Sequence, residues 1–170
     1  MKTKIIFIDG PDDSGKTTFI QTLKKTLPPA SGQRLVELKF NKGLGGLLRI
    51  NRDDQFEILK ALLPHLCREN VYIVDRCYLS NIVYDKVLRN EDSTSSLDFR
   101  DWCHENLTSI EIVLDRPYIE EDFADDLLSI DKTQFNEIID EYRKFDAIDI
   151  INNPELYSLA HNKVEDLINE

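Results

Sequence analysis

The sequence predicts an α/β fold: a parallel sheet of five strands with helices on both faces. Short apolar runs alternate along the chain with longer segments that have helical periodicity, which is typical of such a sheet. No internal repeat and no low-complexity linker interrupts this alternation. The 170 residues, 41% of them hydrophobic, suffice for a sizeable core, so a single domain over residues 1–170 is expected.

The first half of the chain contains three predicted strands with helical sequence between them. The first and third strands are almost wholly apolar, as strands buried on both faces are. Two consecutive prolines, Pro28 and Pro29, end the first helix. In order, the predicted elements are the strand Lys4–Asp9, the helix Lys16–Leu27, the strand Leu35–Phe40, a glycine-rich turn at Gly43–Gly46, helical sequence to about Glu69 and the strand Val71–Asp75.

The second half continues the alternation, apart from one irregular acidic stretch. In order, its predicted elements are the helix Tyr78–Arg89, a polar loop at Glu91–Ser96, the helix Leu97–Asn106, the strand Ile110–Asp115, the irregular acidic segment Arg116–Lys132, the helix Thr133–Phe145, the strand Ala147–Ile151 and the helix Pro154–Asn169. In a parallel sheet the carboxyl ends of the strands share one edge, and ligands collect there.

One segment, Gly10–Thr17, matches the phosphate-binding loop (P-loop) pattern G-x-x-x-x-G-K-[ST] at every fixed position. Backbone N–H groups of such a loop and the positive end of the following helix attract a polyphosphate. Lys16 is expected to reach the β- and γ-phosphates, and Thr17 to hold Mg²⁺ through its hydroxyl. The residues predicted to bind a nucleotide such as ATP are Gly10, Asp13, Ser14, Gly15, Lys16, Thr17 and Thr18.

A second motif lies at the end of the third predicted strand, where Asp75 is followed by Arg76. An acid at this position can orient Mg²⁺ or its water shell beside the P-loop. The alternative is that Asp75 caps the next helix, as many strand-terminal aspartates do. Arg76 suits a phosphate ligand, because a guanidinium can bind phosphate through two parallel hydrogen bonds.

The composition argues against several classes of function. The formal net charge of −11 weighs against long nucleic acid as a partner, but not against a small phosphorylated ligand. The three cysteines and three histidines form no metal-ligand cluster, and an odd number of cysteines suits a reducing compartment. With no apolar run of membrane-span length and no signal peptide, a cytoplasmic protein without a membrane partner is expected.

Both motifs resemble those of the thymidylate kinase family. The segment Phe7–Thr18 is similar to the family pattern F-E-G-x-[DE]-G-x-G-K-T-T. The run Asp75–Tyr84 resembles the family's D-R-[YH] with a serine and an aromatic residue at the spacing found there. The chain's ending, from Asp149 to Ile168, resembles the last strand and helix of the family.

The resemblance implies a P-loop NTPase-type kinase with a lid, here a short acidic segment around residues 116–132. It implies transfer of the γ-phosphoryl group of ATP, with Mg²⁺, to a nucleoside monophosphate, and it allows a homodimer. Arg76 would hold the 5′-phosphate of the acceptor. The site residues carried over are the catalytic Lys16, Arg76 and Asp12, the acceptor-binding Asp12, Phe40, Arg52, Arg76, Ser80 and Tyr84, and the metal-binding Thr17 and Asp75.

Four features depart from the family pattern. Asp13 replaces a glycine or a catalytic arginine, and a carboxylate in an anion site is unfavourable unless it points to solvent or a metal. Phe40–Gly43 replaces R-E-P-G, and Leu48 replaces the phenylalanine four residues before Arg52. The lid is acidic instead of arginine-rich, so it cannot neutralise charge on a transferring phosphoryl group.

Arg116 is a candidate for the missing lid arginine, because it is the only arginine between Arg100 and Arg143. The alternative is a surface arginine that pairs with Glu120 or Glu121.

Three other functions remain open at this point. A deoxynucleoside kinase would accept an uncharged nucleoside and use Asp12 or Asp75 as the base for its 5′-hydroxyl. A polynucleotide 5′-kinase is disfavoured by the acidic charge. A nucleotide-binding protein without turnover would explain Asp13 and the acidic lid, but not the presence together of Lys16, Thr17 and Arg76.

Overall fold

The structure is a computed structural model, and it describes residues 2–27, 34–38, 52–124, 129–145 and 154–169. A 3₁₀ turn, Leu63–His65, and a π-helical turn, Asp85–Arg89, follow two of the helices. The described helices and strands are β1 (Lys4–Asp9), α1 (Lys16–Thr26), β2 (Leu35–Leu38), α2 (Arg52–Leu62), β3 (Val71–Asp75), α3 (Tyr78–Tyr84), α4 (Thr94–Asn106), β4 (Thr108–Val113), β5 (Phe123–Ala124), β6 (Ser129–Ile130), α5 (Lys132–Arg143) and α6 (Pro154–Asn169).

Four strands form a parallel sheet in the order β2-β3-β1-β4, so the predicted α/β fold with a parallel sheet is confirmed. Ile6 in the central strand β1 lies opposite Ile73 on one side and Ile110 on the other. The segments that follow β3, β1 and β4 therefore meet at one edge of the sheet. The predicted fifth strand, Ala147–Ile151, lies outside the described residues and stays a prediction.

Helices cover both faces of the sheet, as predicted. Successive side chains of a strand point to opposite faces, and the apolar run of β1 serves both. Ile5 and Phe7 pack in one hydrophobic cluster with residues of α2, α3, α4 and α5, whereas Ile6 and Ile8 pack in a second cluster with residues of α1 and α6. Burial on both faces explains why the middle of the strand, Ile5–Ile8, is wholly apolar. No helix among the described residues is long and apolar enough to cross a membrane.

The sequence predicted that the acidic segment after β4 is irregular. The structure contradicts this in part, because the segment contains two short strands. Phe123 pairs with Ile130 in the short antiparallel hairpin of β5 and β6, and the Phe123 ring lies 4.7 Å from the ring of Phe135 in α5. Two-residue strands are too short to produce an alternating pattern in the sequence. The hairpin could therefore not be predicted from the sequence and is recognised only in the structure, where it packs against α5.

Several predicted boundaries were also wrong; the helical sequence predicted to about Glu69, for example, ends at His65. The helix α4 begins inside the predicted polar loop Glu91–Ser96, because the Asp92 carboxylate accepts hydrogen bonds from both the backbone N–H and the hydroxyl of Thr94. The predicted helix Tyr78–Arg89 is α-helical only to Tyr84 and finishes as a π-helical turn. The strand β4 begins at Thr108, two residues before the predicted start, where the Thr108 N–H donates to the Thr3 carbonyl.

Candidate active site

The P-loop connects β1 to α1 and lies against the end of β4. Gly10 has a φ of 144° and Gly15, the N-cap of α1, a φ of 84°, values that glycine adopts readily. A Cβ atom at Gly10 would lie 2.5 Å from the Leu114 carbonyl oxygen, so only glycine allows this close approach. The loop is thus shaped by contact with β4 as well as by its own sequence.

Lys16 is 8% exposed, and its ammonium group folds over the first half of the loop. Its Nζ donates to the carbonyl oxygens of Gly10 at 3.0 Å and Pro11 at 2.6 Å, and contacts Ser14 Oγ at 3.4 Å. Burial, together with the nearby positive charge of Arg76, lowers the pKa of Lys16 to about 8. An anion bound beside this ammonium would restore its usual affinity for a proton.

Three polar residues of the loop and of the first turn of α1, Asp13, Thr17 and Thr18, are exposed. Asp13 adopts a left-handed φ of 56° and its side chain is 78% exposed. The carboxylate of Asp13 is therefore turned to solvent, which avoids the unfavourable placement of a negative charge inside the predicted anion-binding loop.

Arg76 returns from the end of β3 to the P-loop. Its φ of 62° is unusual for a residue with a side chain, and its N–H donates to the Ile8 carbonyl at 2.9 Å. Its Nη2 forms a hydrogen-bonded ion pair with Asp12 Oδ1. The Tyr84 hydroxyl donates to the other carboxylate oxygen of Asp12 at 2.9 Å. Three residues predicted for the acceptor site, Asp12, Arg76 and Tyr84, are thus in contact.

Asp75 offers a partly buried carboxylate at the same sheet edge. Its Oδ1 finds no hydrogen-bond partner among the described residues, and its charge acts on Lys16. It does not cap α3, whose N-cap residue is Cys77. No group of three acidic, histidine or cysteine side chains in the described ranges forms a metal cage. Mg²⁺ needs only one or two protein oxygens beside phosphates and water, so Asp75 and the Thr17 hydroxyl fit that ion.

Asp9 supports the start of α3, and sequence reasoning missed it. Asp9 is fully buried at the end of β1, where it accepts hydrogen bonds from the Ser80 hydroxyl and, at 3.3 Å, from the Cys77 N–H. Ser80 Oγ lies 2.9 Å from the Tyr142 hydroxyl, so the network reaches α5. Burial raises the pKa of Asp9 to about 6, although the Ser80 hydrogen bond acts in the opposite direction. The sequence did contain a signal for this role, because Asp9 is an acidic residue at the end of an apolar strand and directly before the first glycine of the loop.

Arg116 also lies at the P-loop. Its Nη1 donates to the Asp12 carbonyl oxygen at 2.8 Å and lies 4.0 Å from Asp13 Oδ2. The pairing with Glu120 or Glu121 that the sequence left open is not formed. The basic groups of Lys16, Arg76 and Arg116 thus approach one short loop from α1, from the end of β3 and from the end of β4.

The predicted acceptor residues are placed differently from one another. The Ser80 hydroxyl is buried in the Asp9 network, so its contact with an acceptor remains a prediction. Phe40 and the side chain of Arg52 lie outside the part of the chain that the structure describes.

Comparison with known proteins supports the fold. No protein-family model and no curated protein sequence matches the chain. Among solved structures, the crystal structure of thymidylate kinase from Ehrlichia chaffeensis is similar over 99% of both chains, with a TM-score of 0.55 and 17% sequence identity. The resemblance predicted from the two motifs is therefore confirmed, and the chain has the fold of a thymidylate kinase.

Proposed function

We propose that this protein is an ATP-dependent nucleoside monophosphate kinase that transfers the γ-phosphoryl group of ATP to a (deoxy)nucleoside monophosphate, giving the diphosphate. One observation carries the proposal. A P-loop with a buried lysine, Lys16, lies beside a second, partly buried cation, Arg76, at the same sheet edge. Two cations that come from separate elements, α1 and the end of β3, suit two phosphorylated ligands held side by side.

The donor side would be formed by the P-loop. Lys16 would exchange its contacts with loop carbonyls for contacts with the β- and γ-phosphates of ATP. Thr17 and Asp75 would hold Mg²⁺, which supplies positive charge to the phosphates when bound. The remaining loop residues predicted for ATP, from Gly10 to Thr18, would contribute backbone N–H groups.

The acceptor side would be formed around Arg76. One guanidinium N–H group is directed to Asp12, and the side chain is 30% exposed, so part of it remains accessible to a phosphate. Asp12, held by Tyr84, fixes the orientation of that guanidinium. The acceptor's phosphate oxygen would then be aligned with the γ-phosphorus, and such alignment is a large part of catalysis in phosphoryl transfer.

An ADP-release assay with Mg-ATP and a panel of acceptors tests this proposal. Monophosphates should be phosphorylated much faster than their parent nucleosides and than 5′-hydroxyl oligonucleotides. Arg76→Ala should weaken monophosphate use far more than ATP binding, whereas Arg68→Ala, at an exposed position outside the site, should leave both unchanged. Better turnover of free nucleosides would replace the proposal with a nucleoside kinase that uses Asp12 or Asp75 as base.

A protein that binds nucleotides without turnover is the second candidate, favoured by Asp13 in the loop. Asp13 points to solvent, which removes much of that argument. ADP binding without product formation from any acceptor would support this candidate.

We further propose that residues 1–170 act as one domain with a lid near residues 116–132; a homodimer remains a prediction.

A further inference from the structure

Arg116 lies at the P-loop, where the acidic lid supplies no arginine to balance the charge of a phosphoryl group. It follows β4 closely, and its side chain is 18% exposed. Its Nη1 bonds to the carbonyl oxygen of Asp12, while Lys16 Nζ bonds to the carbonyl oxygens of Gly10 and Pro11. Two cations thus lie on three consecutive loop residues, so an anion drawn to Lys16 comes within reach of Arg116.

The position of Arg116 is supported by residues of α5. Arg143 Nε contacts both carboxylate oxygens of Asp115, at 3.0 and 2.9 Å, and Arg143 Nη2 donates to the Arg116 carbonyl at 3.1 Å. The Arg116 guanidinium carbon lies 5.2 Å from the centre of the Phe135 ring. A side chain supported in this way loses little freedom when it binds a ligand.

The contacts within the protein do not use all the donors of this guanidinium. Arg116 Nε is buried and has no hydrogen-bond partner in the described part of the chain. Leaving a buried donor unpaired is costly, and an ion pair with Glu120 or Glu121 does not explain its position. A ligand with several acceptor oxygens beside the P-loop would use such a group.

We propose that Arg116 is a catalytic residue that contacts the phosphoryl group during transfer and does the work of the missing lid arginines. This inference rests on the proposed function. In the reaction, an acceptor phosphate oxygen bonds to the γ-phosphorus as the bond to the β–γ bridging oxygen breaks, and ADP leaves with that electron pair. Arg116 keeps its proton throughout and stabilises negative charge on the transferring oxygens.

The test compares Arg116→Ala, Arg116→Lys and Arg116→Met with the wild type. A contact that strengthens in the transition state lowers kcat more than it lowers ground-state affinity. We expect kcat to fall about 10²-fold or more in Arg116→Ala, while the Kd for ADP changes by less than about threefold. Arg116→Lys should recover part of kcat, because it keeps the charge but not the planar fork.

The binding of ADP, acceptor and aluminium fluoride, which imitates the transferring group, gives a second readout. The wild type should form this complex and Arg116→Ala should not. An unchanged kcat would overturn the inference, and so would a parallel loss of kcat and ADP affinity, which indicates a structural role. Arg116→Met keeps a side chain that can pack on Phe135 but has no charge. If the alanine variant fails to fold, the kcat and the ADP affinity of the methionine variant provide the same test. A wild type inactive with every acceptor would instead refute the proposed function.

Discussion

Lys16 is the residue on which turnover is expected to depend most. It is buried beside Arg76, and only contact with anionic oxygens compensates for two cations held so close together. We expect the phosphates of a bound nucleotide, whose negative charge is redistributed in the transition state, to be the strongest such partner.

Changing Lys16 to alanine should therefore reduce kcat by about 10²-fold or more. The control is Lys25→Ala, on the exposed side of the same helix, which should behave as wild type. Steady-state kinetics on both folded variants provides the measurement. Near-normal turnover in Lys16→Ala would remove the interpretation of Gly10–Thr17 as a catalytic P-loop.

Asp9 should make the stability of the protein depend on pH. Its pKa is raised from 3.8 to about 6, chiefly by burial. Between these values the folded protein binds more protons at Asp9 than the unfolded chain does. The contribution of Asp9 to the free energy of unfolding is therefore present below about pH 4 and is lost as pH rises through about 6, in total on the order of 3 kcal/mol.

Asp9→Asn removes this titration. The free energy of unfolding of the variant and of the wild type should be measured by denaturant titration at a series of pH values. Between about pH 4 and 6 the variant should lack the decline that Asp9 contributes. Its free energy of unfolding should therefore fall less with pH than that of the wild type, or rise more steeply if other groups make it rise. Asp98→Asn, an exposed position on α4, is the matched control and should leave the slope unchanged. An Asp9→Asn protein with the wild-type pH profile would contradict the raised pKa.

At the level of elements, the P-loop and the end of β4 are in close backbone contact. The Leu114 N–H donates to the Asp9 carbonyl at 2.9 Å, and this bond brings the backbone of Leu114 against Gly10. The same contact places Arg116 over the loop. The close approach of the P-loop to the end of β4 depends on the absence of a side chain at Gly10.

Gly10→Ala should destabilise the fold and weaken nucleotide binding. The added Cβ would meet Leu114 and, at 2.8 Å, Ser14 Oγ, and the φ of 144° disfavours alanine. We expect a loss of about 1–3 kcal/mol in the free energy of unfolding. Gly15→Ala, where no atom lies within 4 Å of the added Cβ, should cost less. Equal stabilities for the two variants in denaturant titrations would contradict the tight junction.

For the whole molecule, nucleotide binding should stabilise the fold, because the P-loop contacts β1, α1 and the end of β4 together. At about 100 times its Kd, a ligand adds about 2.7 kcal/mol of stability. For a chain of this size, that corresponds to a rise in Tm of about 5–10 °C. Thermal unfolding with and without Mg-ADP measures the shift, which should be much smaller in Lys16→Ala. No shift in the wild type at saturating Mg-ADP would count against a nucleotide site.

The fold class could be predicted from the sequence because its signals are local. Apolar runs such as Ile5–Ile8 identify strands that are buried on both faces, and the spacing of Gly10, Gly15 and Lys16 identifies the P-loop without any long-range information. Arg76 could be predicted for the same reason, because it directly follows a strand end. Boundaries were less predictable where one side-chain contact decides them, as Asp92 does for α4.

The sequence by itself thus determined the α/β alternation, the P-loop and the cation after β3. Only the tertiary structure decided which distant groups complete the site. Arg116 meets Asp12 across 104 residues and Ser80 meets Tyr142 across 62. Such pairs leave no periodic trace in the chain, because they depend on strand order. With β1 between β3 and β4, the residues that follow these strands converge on one loop, where burial favours the pairing of polar groups such as Arg76 with Asp12.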